Sequence, residues 1–330
     1  MDKRDSELVL KVLEGDVLAA AKLMRCLEDE VSGASEDLAS IYPHTGRAGI
    51  IGVAGAPGVG KSTLTDNLIA FFRKQDMKVG VIAIDPTSAL TGGALLGDRV
   101  RMQRHSADSG VFIRSLATRG WVGGLARAAI GAIHVMDAMG KDIIMVETVG
   151  SGQIEIDIVR ASDTALVVLT PGTGDSIQMM KAGILEAVDI FVINKADMEG
   201  AERLKAELEL MLKEKSKSTG VWQPEIVLTE AINDRGTGEL VEAIMNNKEF
   251  LVDGGGLIQR RRQRVRLELL ETVEGHIRDL IRQLDGGDFL EKLVDDIFQG
   301  KTNPQHAALE ITSSLAGDLD KLRSKGEDGL

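Results

Sequence analysis

At 330 residues, with 43% hydrophobic and 27% charged side chains, the chain has room for one large α/β domain plus smaller additions and the make-up of a globular protein. Its 51 acidic against 39 basic residues leave a net charge of −12, which argues against a nucleic-acid partner, because phosphates demand a basic excess. A single cysteine, Cys26, excludes an intramolecular disulfide and any C-x-x-C metal or redox motif, and no apolar run reaches the ~20 residues of a membrane span.

The charged start, Met1 to Glu7, lacks the apolar stretch of a signal peptide, and its acidic residues argue against a transit peptide. A cytoplasmic protein with no membrane partner is expected. From Leu8 to Leu38, apolar residues (Leu8, Leu13, Leu18, Leu23, Leu27) supply helical faces interrupted at Gly15-Asp16, and the segment reads as a packed helical cap. Tyr42 to Gly46 reads as a linker.

Ile50-Ile51-Gly52-Val53-Ala54 then has the pattern of a buried strand. It leads into Gly55-Ala56-Pro57-Gly58-Val59-Gly60-Lys61-Ser62, which fits G-x-x-x-x-G-K-[ST], and helical periodicity resumes from Thr63 to Phe72. Strand, glycine-rich turn and helix start is the arrangement in which backbone N–H groups wrap nucleotide phosphates. The glycines Gly55, Gly58 and Gly60 permit the turn and the close backbone approach. Lys61 is expected to neutralise the β- and γ-phosphates, and the Ser62 hydroxyl to take a place on Mg²⁺. The phosphate-binding run is therefore Gly55, Ala56, Pro57, Gly58, Val59, Gly60, Lys61, Ser62 and Thr63.

Lys78 to Asp85 reads as a second buried strand, and its terminal carboxylate arrives where ligands bind in such sheets. Pro86 to Asp98 is loop-like, rich in small residues, and the place for a mobile switch. Val111-Phe112-Ile113 reads as a short strand, followed by a segment broken at Gly120, Gly123 and Gly124, then a helix from Leu125 to Met139. Asp142 to Gly150 is another buried strand ending in an acid and a glycine. Glu147 there is expected to hold the Mg²⁺ shell, and the Gly150 N–H to meet the γ-phosphate. Strands at Thr164–Leu169 and Asp189–Ile193 follow, the second running into Asn194-Lys195-Ala196-Asp197.

N-K-x-D after a strand has a specific chemical meaning. The Asp197 carboxylate accepts from the N1–H and 2-amino group of guanine. Adenine lacks both, so an ATP complex would leave a desolvated carboxylate unpaired, at a cost on the order of kcal/mol. Lys195 packs its stem over the base, and Asn194 ties this loop to the phosphate loop. After a last strand at Glu225–Leu228, Ala231 is expected to offer its N–H to the base carbonyl, and a helix begins near Thr237. Strands alternating with helices at this spacing predict an α/β fold with a doubly wound, mostly parallel sheet.

At Gly254-Gly255-Gly256 the composition shifts. Ile258, Val265, Leu269, Val273, Ile277, Leu280, Ile281 and Leu284 form a stripe along one long helix that ends at Gly286-Gly287, and a shorter helical segment reaches Ile297. The run Arg260-Arg261-Arg262-Gln263-Arg264-Val265-Arg266 reads as a solvated helix face paired with Glu268, Glu271 and Glu274. His105 and His134 read as packed or surface residues. The predicted division is a helical segment at 1–46, a nucleotide-binding domain at 47–253 and a helical extension at 254–330.

Taken together, Gly92-Gly93-Ala94-Leu95-Leu96-Gly97-Asp98-Arg99-Val100-Arg101-Met102, Glu147-Thr148-Val149-Gly150-Ser151-Gly152-Gln153 and Pro171-Gly172-Thr173-Gly174-Asp175-Ser176-Ile177-Gln178 resemble the methylmalonyl-CoA mutase-associated GTPases. This family is also known as ArgK-type proteins or lysine/arginine/ornithine transport kinases. The resemblance covers nearly the whole chain. It implies a SIMIBI-class P-loop GTPase fold, with GTP/GDP and Mg²⁺ as cofactors and Lys61, Asp98 and Glu147 as catalytic residues. It surrounds the Mg²⁺ with Ser62, Asp85, Asp98 and Glu147. It further implies a GTP-dependent chaperone that assists adenosylcobalamin loading and protects a cobalamin-dependent acyl-CoA mutase. Gly174 to Lys181, with Gln178, corresponds to an extra switch, and the C-terminal extension to a homodimer contact. Ser151-Gly152-Gln153-Ile154-Glu155 departs from the family's Val-Gly-Gln-Ser-Glu, a difference that bears on partner choice. No water-orienting glutamine follows Gly150, so slow intrinsic hydrolysis is expected, with Arg99 and Arg101 supplying charge once a partner orders their loop. Two other functions stand beside this one: a kinase acting on an amino-acid transport binding protein, and a nickel metallochaperone, for which the lone Cys26 and scattered histidines are a poor ligand set.

Overall fold

The computed structural model describes residues 6–85, 103–105, 107–117, 124–148, 161–172, 187–215, 221–283 and 288–314. Three helices open the chain, α1 (Glu7–Leu13), α2 (Val17–Glu28) and α3 (Ala34–Ile41). The first two start at side-chain caps: Ser6 Oγ accepts from the Val9 N–H, and Asp16 Oδ1 from the Ala19 N–H at 2.7 Å. There follow β1 (Gly49–Ala54), α4 (Lys61–Lys74), β2 (Val79–Asp85), β3 (Val111–Ala117), α5 (Gly124–Ala138), β4 (Ile143–Thr148), β5 (Thr164–Leu169) and β6 (Ile190–Asn194). Then come α6 (Ala201–Lys215), β7 (Glu225–Thr229), α7 (Thr237–Asp253), α8 (Gly256–Gln283), α9 (Asp288–Phe298) and a last helix, α10, at 304–314.

The strands form one parallel seven-stranded sheet in the order β3-β2-β4-β1-β5-β6-β7. Strands β1, β4, β5 and β6 are buried throughout, so their near-continuous apolar runs face helices on both sides. On one face Ile51, Val53, Met145, Leu166 and Val192 pack with Leu64 and Leu68 of α4 and Leu240 and Ile244 of α7. On the other, Ile82, Ile84, Ile144 and Val146 pack with Ile133 and Met136 of α5. This is the doubly wound α/β fold of the P-loop NTPases. Val9, Val12, Leu23, Met24 and Ile41 of the first three helices join that second core. Each such side chain withdrawn from water contributes about 1.5–3 kcal/mol. Arg114 of β3 donates to Glu28 of α2 at 2.6 Å, fastening the cap to the sheet.

A recurrent device sets the amino ends of the strands. An aspartate stands immediately before each of β4, β5 and β6, and its carboxylate accepts the first free N–H beside a neighbouring strand. Asp142 takes Lys78 N at 2.6 Å, Asp163 takes Ile50 N at 3.2 Å and Asp189 takes Ala165 N at 2.8 Å. Asp137 likewise accepts the N–H groups of Gly46, Arg47 and Ala48 as the chain enters β1.

The arginine run of α8 is only partly the solvated face that its charge pattern predicts: Arg262 and Arg266 are exposed, whereas Arg260, Arg261 and Arg264 turn inward. Arg260 donates to both oxygens of Asp189 at 2.6 and 2.7 Å, Arg261 to Asp163 Oδ2 at 3.0 Å, and Arg264 to Asp163 Oδ1 at 3.0 Å. Carbonyls of Gly46, Ala48, Ala161 and Asp163 also accept from these guanidinium groups. Asp163 and Asp189 are 5% and 2% exposed, and a carboxylate that deep requires a paired cation, which outweighs pairing with glutamates on the same helix. The compact parts of the chain divide inside α8, between Glu268 and Leu269. Along α8 the residues Ile258, Val265, Leu269, Val273, Ile277 and Leu280 are 42% to 68% exposed. No described helix is long and apolar enough to cross a membrane.

Candidate functional site

The central strand brings the motifs together. β1 lies between β4 and β5, with Val53 in register with Glu147 and Ala54 with Val167. The loop after Ala54 therefore opens beside the end of β4. Gly55, at φ +149, leaves no room for a side chain, since a Cβ would overlap the Val168 carbonyl. Gly60, at φ +98, is the residue before α4, and a Cβ there would overlap the Asn194 amide. Both positions admit only glycine, which leaves the loop backbone open to a phosphate.

Lys61 is 6% exposed, and its ammonium donates to the carbonyls of Gly55 at 2.7 Å and Ala56 at 2.9 Å. Ser62 Oγ donates to Glu147 Oε1 at 2.6 Å, and both residues are buried. The motif serine and the acid at the end of β4 thus meet directly, although 85 residues separate them. Hydroxyl and carboxylate oxygens suit Mg²⁺, which takes one or two protein oxygens and completes its shell with phosphates and water. The donors fit that ion, and the glycine-shaped loop fits the phosphates. Ala56, Pro57, Gly58 and Thr63 complete the loop and helix start, with Pro57 and Gly58 exposed and Val59 buried.

The second loop is joined to the first. Asn194, 2% exposed at the end of β6, donates through Nδ2 to the Val59 carbonyl at 2.8 Å. Its Oδ1 accepts from Thr229 Oγ1 at 3.1 Å and from the Ala231 N–H at 3.0 Å. Lys195 sits at φ +57, an uncommon conformation for a residue with a Cβ, and its ammonium reaches the Gly58 carbonyl at 2.9 Å. Asp197 follows in an exposed turn. The Ala231 N–H, expected to face a base carbonyl, donates to Asn194 Oδ1 here, because a buried amide oxygen requires donors.

Asp85 ends β2, across β4 from β1, and its side chain lies outside the described residues, as do Asp98, Arg99, Arg101, Gly150, Ser151, Gln153, Gln178 and Lys181. His105 and His134 are packed side chains: His105 Nε2 lies 3.0 Å from Asp66 Oδ1, and His134 Nε2 lies 3.0 Å from Glu268 Oε1. The residues missed by sequence reasoning are Asp66 and Asn67 on α4, 9% and 7% exposed. The available signal was three successive polar residues, Thr65-Asp66-Asn67, inside an otherwise amphipathic helix.

Residues 20–285 match the model of a family described as methylmalonyl-CoA mutase-associated GTPase MeaB. A Pyrococcus abyssi protein carried under a provisional GTPase name is 48% identical over 315 residues, spanning 94% of this chain and 97% of that one. The GTPase ArgK of Escherichia coli is 31% identical, spanning 82% and 86% of the two chains. A crystal structure described as a LAO/AO transport system kinase superposes with a TM-score of 0.69 over 94% of this chain and 97% of that one, at 24% identity, and shows the shared fold.

Proposed function

The chain belongs to the methylmalonyl-CoA mutase-associated GTPase family, and from that premise we propose that it is a GTP-hydrolysing chaperone of a cobalamin-dependent acyl-CoA mutase. The observation that carries the nucleotide reading is Asn194, whose one side chain joins the phosphate loop to the N-K-x-D turn. In this reading Gly55 to Thr63 hold the phosphates, and Lys61 exchanges its loop carbonyls for β- and γ-phosphate oxygens. Asp197 selects guanine, with Lys195 along the base. Ser62 and Glu147, with Asp85 and Asp98, hold Mg²⁺, which neutralises charge on the phosphate oxygens when bound. Lys61 and the loop N–H groups stabilise the charge that develops on phosphoryl transfer.

The client reading extends from the family. A homodimer formed through the exposed stripe of α8 belongs to the same proposal, as does the functional division at 1–46, 47–253 and 254–330. The deciding experiment is steady-state phosphate release from GTP, with and without purified methylmalonyl-CoA mutase. Slow basal turnover, raised at least about tenfold by the mutase, is expected, and Lys61→Ala should abolish both rates. Basal turnover that the mutase leaves unchanged would remove the client while leaving the GTPase.

A further inference from the structure

Asn67 lies on the second turn of α4, directly after the phosphate loop, and is almost fully buried. Its Nδ2 donates to the Ala231 carbonyl at 2.7 Å, and its Oδ1 accepts from Arg104 Nη2 at 3.1 Å. Arginine has donors only, so the amide orientation is set: oxygen towards Arg104, nitrogen towards Ala231. Arg104 is itself anchored, with Nε 2.6 Å from Asp66 Oδ2 and Nη2 donating to the Asp66 carbonyl at 2.8 Å. On the other side, the Ala231 N–H donates to Asn194 Oδ1, and Asn194 Nδ2 donates to the Val59 carbonyl. An unbroken series of hydrogen bonds therefore runs from Arg104 through Asn67, Ala231 and Asn194 to the phosphate loop.

Resting on the guanine-nucleotide reading, we propose that Asn67 is a positioning residue for base recognition, holding the Ala231 turn and through it Asn194, with Arg104 orienting its amide. The Asn67 bond ties α4 to the turn at Ala231–Asn233, which also packs against Leu64 and Leu68, and Asn194 keeps its bond from Thr229. Loss of Asn67 should accordingly loosen the base site more than it unfolds the domain. Arg104 follows the 92–102 segment by two residues in the sequence.

The test is the affinity of the full-length chain for GDP and ADP, by competition against a fluorescent GDP, for wild type, Asn67→Asp and Arg104→Met. Asn67→Asp keeps the size and the Arg104 partner but sets a carboxylate oxygen against the Ala231 carbonyl, two acceptors face to face. It should weaken GDP about ten- to a hundredfold and leave ADP little changed, so that the GDP/ADP ratio falls at least about tenfold. Arg104→Met should lower the ratio in the same direction by less. Parallel weakening of both nucleotides, or an unchanged ratio in a folded variant, would overturn the proposal. Should Asn67→Asp fail to fold, Arg104→Met decides: a reduced ratio supports the role and a wild-type ratio overturns it. A wild-type chain that binds GDP and ADP equally would overturn the guanine reading first, and this inference with it.

Discussion

In the proposed function, nucleotide choice rests on Asp197. Its carboxylate is exposed and follows Lys195, whose positive φ is the kind of local strain kept where a loop must hold one shape. Asp197→Asn should weaken GDP at least about tenfold and admit xanthosine diphosphate, whose 2-oxo group accepts from an amide; displacement of fluorescent GDP by each nucleotide measures both effects. A variant that gains no xanthine affinity would remove Asp197 from the base. A different residue contributes to the response of stability to pH. Lys141 is 5% exposed, and burial, with the charges of Lys78 and Arg73, pushes its ammonium from the usual 10.5 down to about 8. Below about 8 both folded and unfolded chains hold the proton, so the burial penalty is fully present. Between about 8 and 10.5 the unfolded chain binds more protons, so this group's contribution to stability rises with pH. Lys141→Met should therefore be most stabilising at pH 7, with the difference from wild type shrinking towards pH 10.5, as denaturant unfolding across that range would show. The Gly110 carbonyl that accepts from Lys141 keeps its bond from the Val79 N–H, so the substitution strands no acceptor.

The aspartates before β4, β5 and β6 and the arginines of α8 are an element-scale device. Asp163 alone receives Arg261, Arg264 and the Ile50 N–H, which makes it the joint between the start of α8 and the amino ends of two strands. Asp163→Ala leaves two guanidinium groups without their acid and should cost about 3–5 kcal/mol in urea unfolding. Lys11→Ala, which breaks an ion pair whose side chains are 52% and 82% exposed, should shift the same unfolding curve far less. Similar losses from the two would mean that the joint carries no special weight. Much of this was half-visible beforehand, since each aspartate stands directly ahead of an apolar run. Its partners were not, because Arg260 lies 71 residues from Asp189, and a row of arginines on a helix looks the same whether it faces water or buried acids.

On the scale of the whole molecule, the exposed apolar stripe of α8 is the surface to which the proposed function assigns a second copy. A homodimer in solution is the expected state, and light scattering at micromolar concentration checks it. Truncation before Gly256 would confuse the test, because it also removes Arg260, Arg261 and Arg264 from Asp163 and Asp189. Truncation after Glu268 keeps those pairs while deleting most of the stripe, and should yield a folded monomer. A truncated chain that stays dimeric would move the interface elsewhere. Taken by itself, the amino-acid sequence determined the order of strands and helices, the phosphate loop and the N-K-x-D turn, because glycine spacing, apolar runs and motif order are local properties. It also carried the family. The tertiary structure alone decided the β3-β2-β4-β1-β5-β6-β7 arrangement, the aim of the Ala231 N–H at Asn194, the pairing of Arg260, Arg261 and Arg264 with buried aspartates and the place of Asn67 between two loops. Each of these joins residues far apart in the chain, and a buried polar group's partner follows from what packing brings within about 3 Å, not from its neighbours in sequence.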